Sequence, residues 1–170
     1  MDNWRWQGVP FYLRTGKRLP VKMTEIAIQF RPVPHQSFPN AAVADWRPNR
    51  IVICIQPQER ILLRFQVKEP GPAMHLSPVN MNFSYADYFG ATLPEAYETL
   101  LLDIMRGDAT LFMRADQVEA AWSVVTPILD AWAATPPADF PNYAAGTRGP
   151  LAADDLVQRD GQHWLAAEVS

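Results

Sequence analysis

The first residues that could do chemistry are cations near the start of the chain. They are Arg5, Arg14, Lys17, Arg18 and Lys22. No carboxylate lies between Asp2 and Glu25, although the whole chain has a formal net charge of -3. General solubilising charge does not explain a local excess of this kind in an acidic protein. Aromatic and aliphatic residues lead into a Gly-Lys turn, which predicts a segment that holds the cations in place. Cations held in this way usually bind an anion, so we expect a phosphate or carboxylate ligand.

Length and composition narrow the class of protein. A chain of 170 residues with 48% apolar residues fits one globular domain, 1–170. The acidic balance argues against a nucleic-acid partner, and no apolar run reaches the ~20 residues that a membrane span needs. Cys54 is the single cysteine and lies in an apolar run. We therefore expect a small buried hydrophobe there and a cytoplasmic protein.

The first half of the chain has the two-residue period of β-strands. The hydrophobic pattern predicts strands at Val9–Arg14, Thr24–Phe30, Arg50–Gln56 and Ile61–Lys68, and an extended segment at Met74–Tyr85. The second and third of these four strands are separated by 31–49, which is rich in proline and therefore predicts a long loop. The short Pro57-Gln58-Glu59 connection predicts an antiparallel hairpin.

The second half has the 3.6-residue period of helices. The apolar stripes predict helices from Pro94 to near Gly107, from Asp116 to about Trp132, and over 151–159. Glu119, three residues after Asp116, predicts a capping box, and Pro127 predicts a kink or a shorter second helix. Strands followed by helices favour an α+β fold, with a mostly antiparallel sheet and helices packed on one face.

Several motifs resemble one enzyme family along nearly the whole chain. They are the opening segment 3–19, Gln56-Pro57, Pro70-Gly71-Pro72, Pro94-Glu95-Ala96-Tyr97-Glu98, Leu101-Leu102-Asp103, Arg106-Gly107-Asp108 with Phe112-Met113-Arg114, Ala121-Trp122 and Gly146-Thr147-Arg148-Gly149-Pro150. In this order they resemble the carboxy-terminal region of glucose-6-phosphate dehydrogenases. The resemblance implies oxidation of glucose 6-phosphate to 6-phosphogluconolactone with NADP, in the pentose phosphate pathway.

The resemblance also gives the opening cations a role. Lys17 and Lys22 match two lysines that bind the sugar phosphate in the family, and Gln56 matches a glutamine that contacts the sugar in some members. A lysine suits this task as a mobile point charge on a long stem. Without the family, the sequence favours solvated turn residues at both lysines. Gln56 is equally consistent with an amide that caps a strand end at the hairpin.

The residues that would complete an enzyme are missing from the sequence. There is no glycine-rich turn for a dinucleotide, and the family's Asp-His-Tyr-Leu-Gly-Lys motif with the catalytic histidine is absent. The pattern around His35, His75 and His163 predicts ordinary structural or surface residues. The sequence therefore indicates no catalytic residue, no coenzyme-binding residue and no metal site. We expect a chain that is incomplete at its N-terminus and inactive without the dinucleotide-binding domain.

Some family members bind a second, structural NADP against the sheet. Arg14, Arg148 and Asp154 match positions of that site. Other basic positions of that site are replaced, by Met23, Ala27 and Cys54. The loss of three cations removes most of the attraction for a dinucleotide, so a structural NADP is not expected. The resemblance further implies a homodimer formed through the sheet. The alternative function is a non-catalytic module that only dimerises or associates.

Overall fold

The computed structural model describes residues 3–32, 37–43, 46–90, 95–135, 137 and 139–165. The chain forms two compact units. The first combines Met1–Pro20 with Pro94–Ser170, and the second is Val21–Leu93. The prediction of one domain over 1–170 stays a prediction.

The second unit contains a four-stranded sheet. Its strands are β1 (Thr24–Gln29), β2 (Arg50–Gln56), β3 (Arg60–Lys68) and β4 (Leu76–Ser84). They are arranged in the order β1-β2-β3-β4, and every neighbouring pair is antiparallel. The predicted hairpin of β2 and β3 is confirmed, with Ile53 opposite Ile61.

One face of this sheet is apolar, because the register aligns hydrophobic residues in two rows across all four strands. One row is Ile26, Ile53, Ile61 and Phe83, and the other is Ile28, Ile51, Leu63 and Met81. Paired residues point to the same side of a sheet. Ile26, Ile28 and Met81 are 51%, 46% and 59% exposed within the described structure. We call these two rows the apolar face.

The opposite face carries the buried residues of the second unit. Cys54, Leu62 and Leu76 are buried there, and Cys54 is thus the small buried hydrophobe that the sequence predicts. Ala42 and Val43 are also buried. They belong to a short 3₁₀ helix, Asn40–Val43, that lies against β4. The remainder of the predicted loop includes 33–36, 44 and 45, which lie outside the described residues, so His35 is not placed.

The sheet ends in a helix that the sequence analysis missed. Helix α1, Tyr85–Phe89, follows β4 directly. Its start is set by Ser84, whose hydroxyl accepts a hydrogen bond from the backbone N–H of Asp87. Tyr85, Phe89 and Tyr88 pack their rings around Phe83 with centroids 5.0–6.5 Å apart.

The first unit contains the longer helices: α2 (Ala96–Arg106), α3 (Ala115–Ala134) and α4 (Leu151–Gln158). Pro94 lies outside the described residues, and α2 ends at Gly107, as the glycine predicts. The capping box predicted at Asp116 and Glu119 is wrong. The residue that caps is Gln117, whose side-chain oxygen accepts from the backbone N–H of Arg114. Helix α3 continues through Pro127, so the shorter helix is also wrong.

The predicted strand at Val9–Arg14 is wrong, because this segment has no strand pairing in the described structure. Its side chains, rather than a backbone ladder, attach it to the end of the chain. The hydroxyl of Tyr12 donates to Asp160, and the guanidinium of Arg14 donates to the carbonyl of Arg148. A short apolar and aromatic run alone does not distinguish a paired strand from an extended segment held by side chains.

The α+β prediction is confirmed by the antiparallel sheet and the helices that follow it in the chain. Packing of the helices on one face of the sheet stays a prediction. Among the described helices, none is both long enough and apolar enough to cross a membrane.

Candidate functional site

The Gly16-Lys17-Arg18 turn is held by the far end of the chain. The hydroxyl of Tyr143 donates a 2.7 Å hydrogen bond to the carbonyl of Lys17. The backbone N–H of Gly146 donates to the carbonyl of Arg18 at 2.9 Å. Arg18 has φ of 57°, the left-handed region that non-glycine residues rarely adopt. Both carbonyls are thus bonded, and Lys17 itself is exposed.

A cavity of about 540 Å³ lies beside this turn. The residues that line it are Lys17, Arg18, Phe140, Pro141, Asn142, Tyr143 and Ala145. Two of them are cations, and none of these described lining residues is acidic. Aromatic rings and an amide complete the wall. This combination suits a ligand that has an anionic group and polar hydroxyls.

Lys22 and Gln56 lie at one end of the sheet in the second unit. Gln56 is the last residue of β2 and pairs with Thr24, the first residue of β1. Lys22 precedes Thr24 by two residues, so Lys22 and Gln56 lie at the same end of the β1–β2 strand pair. Both are exposed. A cation and an amide at one edge provide a point charge and a group that both donates and accepts hydrogen bonds.

The three predicted site residues therefore fall into two groups. Lys17 belongs to the first unit, and Lys22 and Gln56 belong to the second. Within the second unit, the pairing of β1 with β2 brings Lys22 and Gln56 to the same end of the sheet. Their role as ligands stays a prediction.

Arg14 makes its contacts inside the chain. Its guanidinium donates to the carbonyl of Arg148 and lies 5.3 Å from the ring centre of Trp164, which is a cation–π distance. The indole N–H of Trp164 donates to the carbonyl of Ala153 at 2.9 Å. Arg14 is thus engaged by a carbonyl and a ring, and the ring is tied to α4.

His75 belongs to a small polar cluster at the turn between β3 and β4. Its Nδ1 lies 3.0 Å from a carboxylate oxygen of Glu69, and the hydroxyl of Ser77 donates to the other oxygen. The bonds from Ser77 and His75 hold the pKa of Glu69 below its ordinary value of 4.5. The serine is bonded to the carboxylate and not to the imidazole, so the cluster is not arranged as a nucleophile with a base. It joins the ends of two strands.

A metal centre needs a particular arrangement of titratable residues. In the ranges that the structure describes, no group of three or more His, Cys, Asp or Glu residues is placed to hold a metal ion. His163 is exposed near the end of the described chain.

Comparison with known proteins decides the family. A family model described as "Glucose-6-phosphate dehydrogenase, C-terminal domain" matches residues 1–165. The chain belongs to this family. The resemblance drawn from the opening segment is thereby confirmed.

Relatives show how much of a glucose-6-phosphate dehydrogenase the match covers. A glucose-6-phosphate 1-dehydrogenase of Aggregatibacter actinomycetemcomitans is 51% identical over 164 residues, which cover 96% of this chain and 32% of the relative. One of Mycolicibacterium smegmatis is 49% identical, covering 95% of this chain and 32% of the relative. The chain therefore spans about a third of the length of the curated relatives it matches.

Solved structures of the family have the same fold. A glucose-6-phosphate 1-dehydrogenase from Mycobacterium avium has a TM-score of 0.73 and 34% identity, covering all of this chain and 34% of the other. A glucose-6-phosphate dehydrogenase in complex with its substrate glucose-6-phosphate has a TM-score of 0.71 and 32% identity, covering 89% of this chain and 30% of the other.

Sequence reasoning missed Tyr143 and Gly146 as partners of the Lys17 turn. Gly146 opens a motif that carries the family resemblance, so its importance was visible. Nothing in the sequence linked that motif to Lys17, because 126 positions separate Lys17 from Tyr143. Contacts between such distant positions become visible only in the folded chain.

Proposed function

We propose that this chain is the part of a glucose-6-phosphate dehydrogenase that binds the substrate and forms the dimer. The complete enzyme oxidises glucose 6-phosphate to 6-phosphogluconolactone and reduces NADP. The observation that carries the proposal is the turn that presents Lys17 beside a cavity with two cations and no acidic residue among its described lining. A dianionic sugar phosphate is the ligand that matches both this charge and the family.

Each site residue has a separate task in this proposal. Lys17 and Lys22 attract the phosphate or orient the sugar by charge, and Gln56 exchanges hydrogen bonds with sugar hydroxyls. None of them is assigned as the base that removes the proton from the C1 hydroxyl. That step and the catalytic NADP belong to the remaining two thirds of the enzyme. The chain alone is proposed to be inactive.

We do not propose a second, structural NADP on this chain. Arg14, one of the two cations that match such a site, is engaged by the carbonyl of Arg148 and the ring of Trp164. Cys54, which replaces one of the basic residues, is buried in the sheet. The remaining groups do not fit a ligand with several phosphates, since few cations are left to neutralise it.

The apolar face supports the proposed homodimer. Its rows of isoleucine, leucine, methionine and phenylalanine are partly exposed, and burial of such a surface against a second copy is favourable. A cytoplasmic location is proposed together with this function, because the single cysteine gives no internal disulfide.

The test uses a chimera, in which residues 1–165 replace the matching region of the Mycolicibacterium smegmatis relative. We expect the chimera to reduce NADP with glucose 6-phosphate, and the 170-residue chain alone not to do so. Lys17→Ala is expected to raise the KM for glucose 6-phosphate about tenfold or more, since a charge-assisted hydrogen bond is lost. Lys22→Ala and Gln56→Ala are expected to raise the same KM.

Arg5→Ala is the matched control, because it removes an exposed cation of the same opening segment. Its KM is expected to equal that of the unsubstituted chimera. A KM that stays unchanged in Lys17→Ala, or that rises equally in Arg5→Ala, contradicts the assignment of the site. Turnover by the pure chain alone contradicts the proposed division of the enzyme.

A further inference from the structure

The hydroxyl of Tyr143 is placed to control the conformation of the turn that carries Lys17. It donates a 2.7 Å hydrogen bond to the carbonyl of Lys17 itself, not to the ammonium group. The peptide plane after Lys17 is therefore fixed by a side chain that lies 126 positions later in the sequence. Tyr143 is half-buried, and its hydroxyl reaches the turn.

Gly16 makes room for this hydroxyl. A Cβ added at Gly16 would lie 2.9 Å from the oxygen of Tyr143, closer than side-chain carbons normally approach. The backbone of Gly16 does not have a positive φ, so glycine is not needed there for its conformation. The lack of a side chain at Gly16 thus serves the close approach of Tyr143.

Arg18, the residue after Lys17, is also supported by this segment. Arg18 holds a φ of 57°, which is unfavourable for a residue with a side chain. Its carbonyl accepts a hydrogen bond from the N–H of Gly146, three residues after Tyr143. Two successive carbonyls of the turn are therefore bonded by one short segment. Without these bonds the turn would relax, and the direction of the Lys17 side chain would change.

We infer that Tyr143 is a positioning residue for substrate binding, which acts through the carbonyl of Lys17. This inference rests on the proposed function, because it needs Lys17 to be a substrate ligand. Tyr143 itself need not touch the sugar phosphate. It sets the geometry in which the ammonium of Lys17 meets the anion, so its loss weakens binding more than turnover.

The first measurement uses the chimera. Tyr143→Phe is expected to raise the KM for glucose 6-phosphate about fivefold, the effect of one lost hydrogen bond, with a smaller change in kcat. Tyr12→Phe is the matched control, since it removes a hydroxyl that donates to Asp160 and does not touch the turn. Its KM is expected to be unchanged. An equal rise in both variants overturns the inference.

The second measurement is a double-mutant cycle with Gly16. Gly16→Ala displaces the hydroxyl and is expected to raise the KM about as much as Tyr143→Phe does. In the double variant the oxygen is gone and the added methyl group fits, so the KM is expected to stay near that of Tyr143→Phe. General destabilisation would instead make the two effects multiply. Multiplying effects overturn the inference.

The third measurement uses the 170-residue chain without substrate. Tyr143→Phe is expected to shift the carbonyl ¹³C resonance of Lys17, and Tyr12→Phe to leave it unchanged. No shift in either variant overturns the inference, whatever the kinetics show. If Lys17→Ala leaves the KM unchanged in the chimera, the proposed site fails, and the resonance still reports whether Tyr143 fixes the turn. If Lys17→Ala raises the KM and Tyr143→Phe does not, only the positioning role fails.

Discussion

Tyr12 and Asp160 are joined by a 2.6 Å hydrogen bond between the phenol and the carboxylate, although 148 positions separate them. Trp164 lies against the same tyrosine, with its ring edge-on at 6.3 Å between centroids. The beginning and the end of the described chain are therefore tied together by polar and aromatic contacts.

This hydrogen bond predicts a pH dependence at the alkaline side. The bond to Asp160, followed by desolvation and by the carboxylate charge, raises the pKa of Tyr12 above its ordinary value of 10.0. A raised folded-state pKa contributes stability that is present below pH 10.0 and is lost as the pH rises through the folded value. Titration of the Tyr12 ring carbon by NMR measures the pKa directly. Asp160→Asn is expected to lower it, and an unchanged value would contradict the bond.

The Glu69 cluster predicts the opposite behaviour in acid. Its lowered pKa contributes stability that is present above pH 4.5 and is lost as the pH falls through the folded value. Glu69→Gln is therefore expected to be less stable than the natural chain at neutral pH. The difference should shrink as the pH falls below this range. Urea unfolding at a series of pH values measures the difference, and a constant gap across the series is the contrary outcome.

Gly107 predicts a local cost of backbone conformation. It follows the last residue of α2 with φ of 71°, and its N–H donates to the carbonyls of Asp103 and Ile104. An added Cβ meets nothing within 4 Å, so Gly107→Ala is resisted only by the left-handed backbone. We expect a loss of about 1 kcal/mol in the free energy of unfolding. Urea denaturation provides the value, and an unchanged stability would show that the cap relaxes without cost.

The apolar face predicts the surface of self-association. Met81 and Asn82 are neighbours in β4, both exposed, and they lie on opposite faces of the sheet. If the proposed dimer forms through this face, Met81→Lys is expected to shift it towards monomer in sedimentation velocity, because a charge on the apolar face opposes its burial. Asn82→Lys is expected to leave the dimer intact. Dissociation by both substitutions, or by neither, argues against this face as the interface.

Sequence patterns predicted the sheet well because its information is local. The two apolar runs of β2 and β3 and the short turn between them indicate the hairpin. The predicted helices likewise follow from apolar stripes and from the glycine that ends α2. The strand predicted at Val9–Arg14 was wrong because an apolar and aromatic run also fits a segment that is held by its side chains.

The candidate site has a part that depends on strand pairing and a part that depends on contacts between distant loops. Lys22 and Gln56 lie at the same end of the sheet because β1 pairs with β2, and this pairing was not predicted from the sequence. The surroundings of Lys17 could not be predicted, since Tyr143 and Gly146 come from a turn far along the chain. Loop-to-loop contacts leave no periodic signal in a sequence.

The connectivity of the two units has a kinetic consequence. Every strand of the sheet pairs with its neighbour in the chain, and the longest connection between two paired strands is 30–49. The first unit must bring residues 12–18 to residues 143–164, across more than a hundred intervening positions, before the Lys17 turn is held. Closure of so long a loop is slow and costs entropy. We therefore expect the sheet to form before the turn that carries Lys17, because that turn is completed only when the C-terminal segment closes onto it.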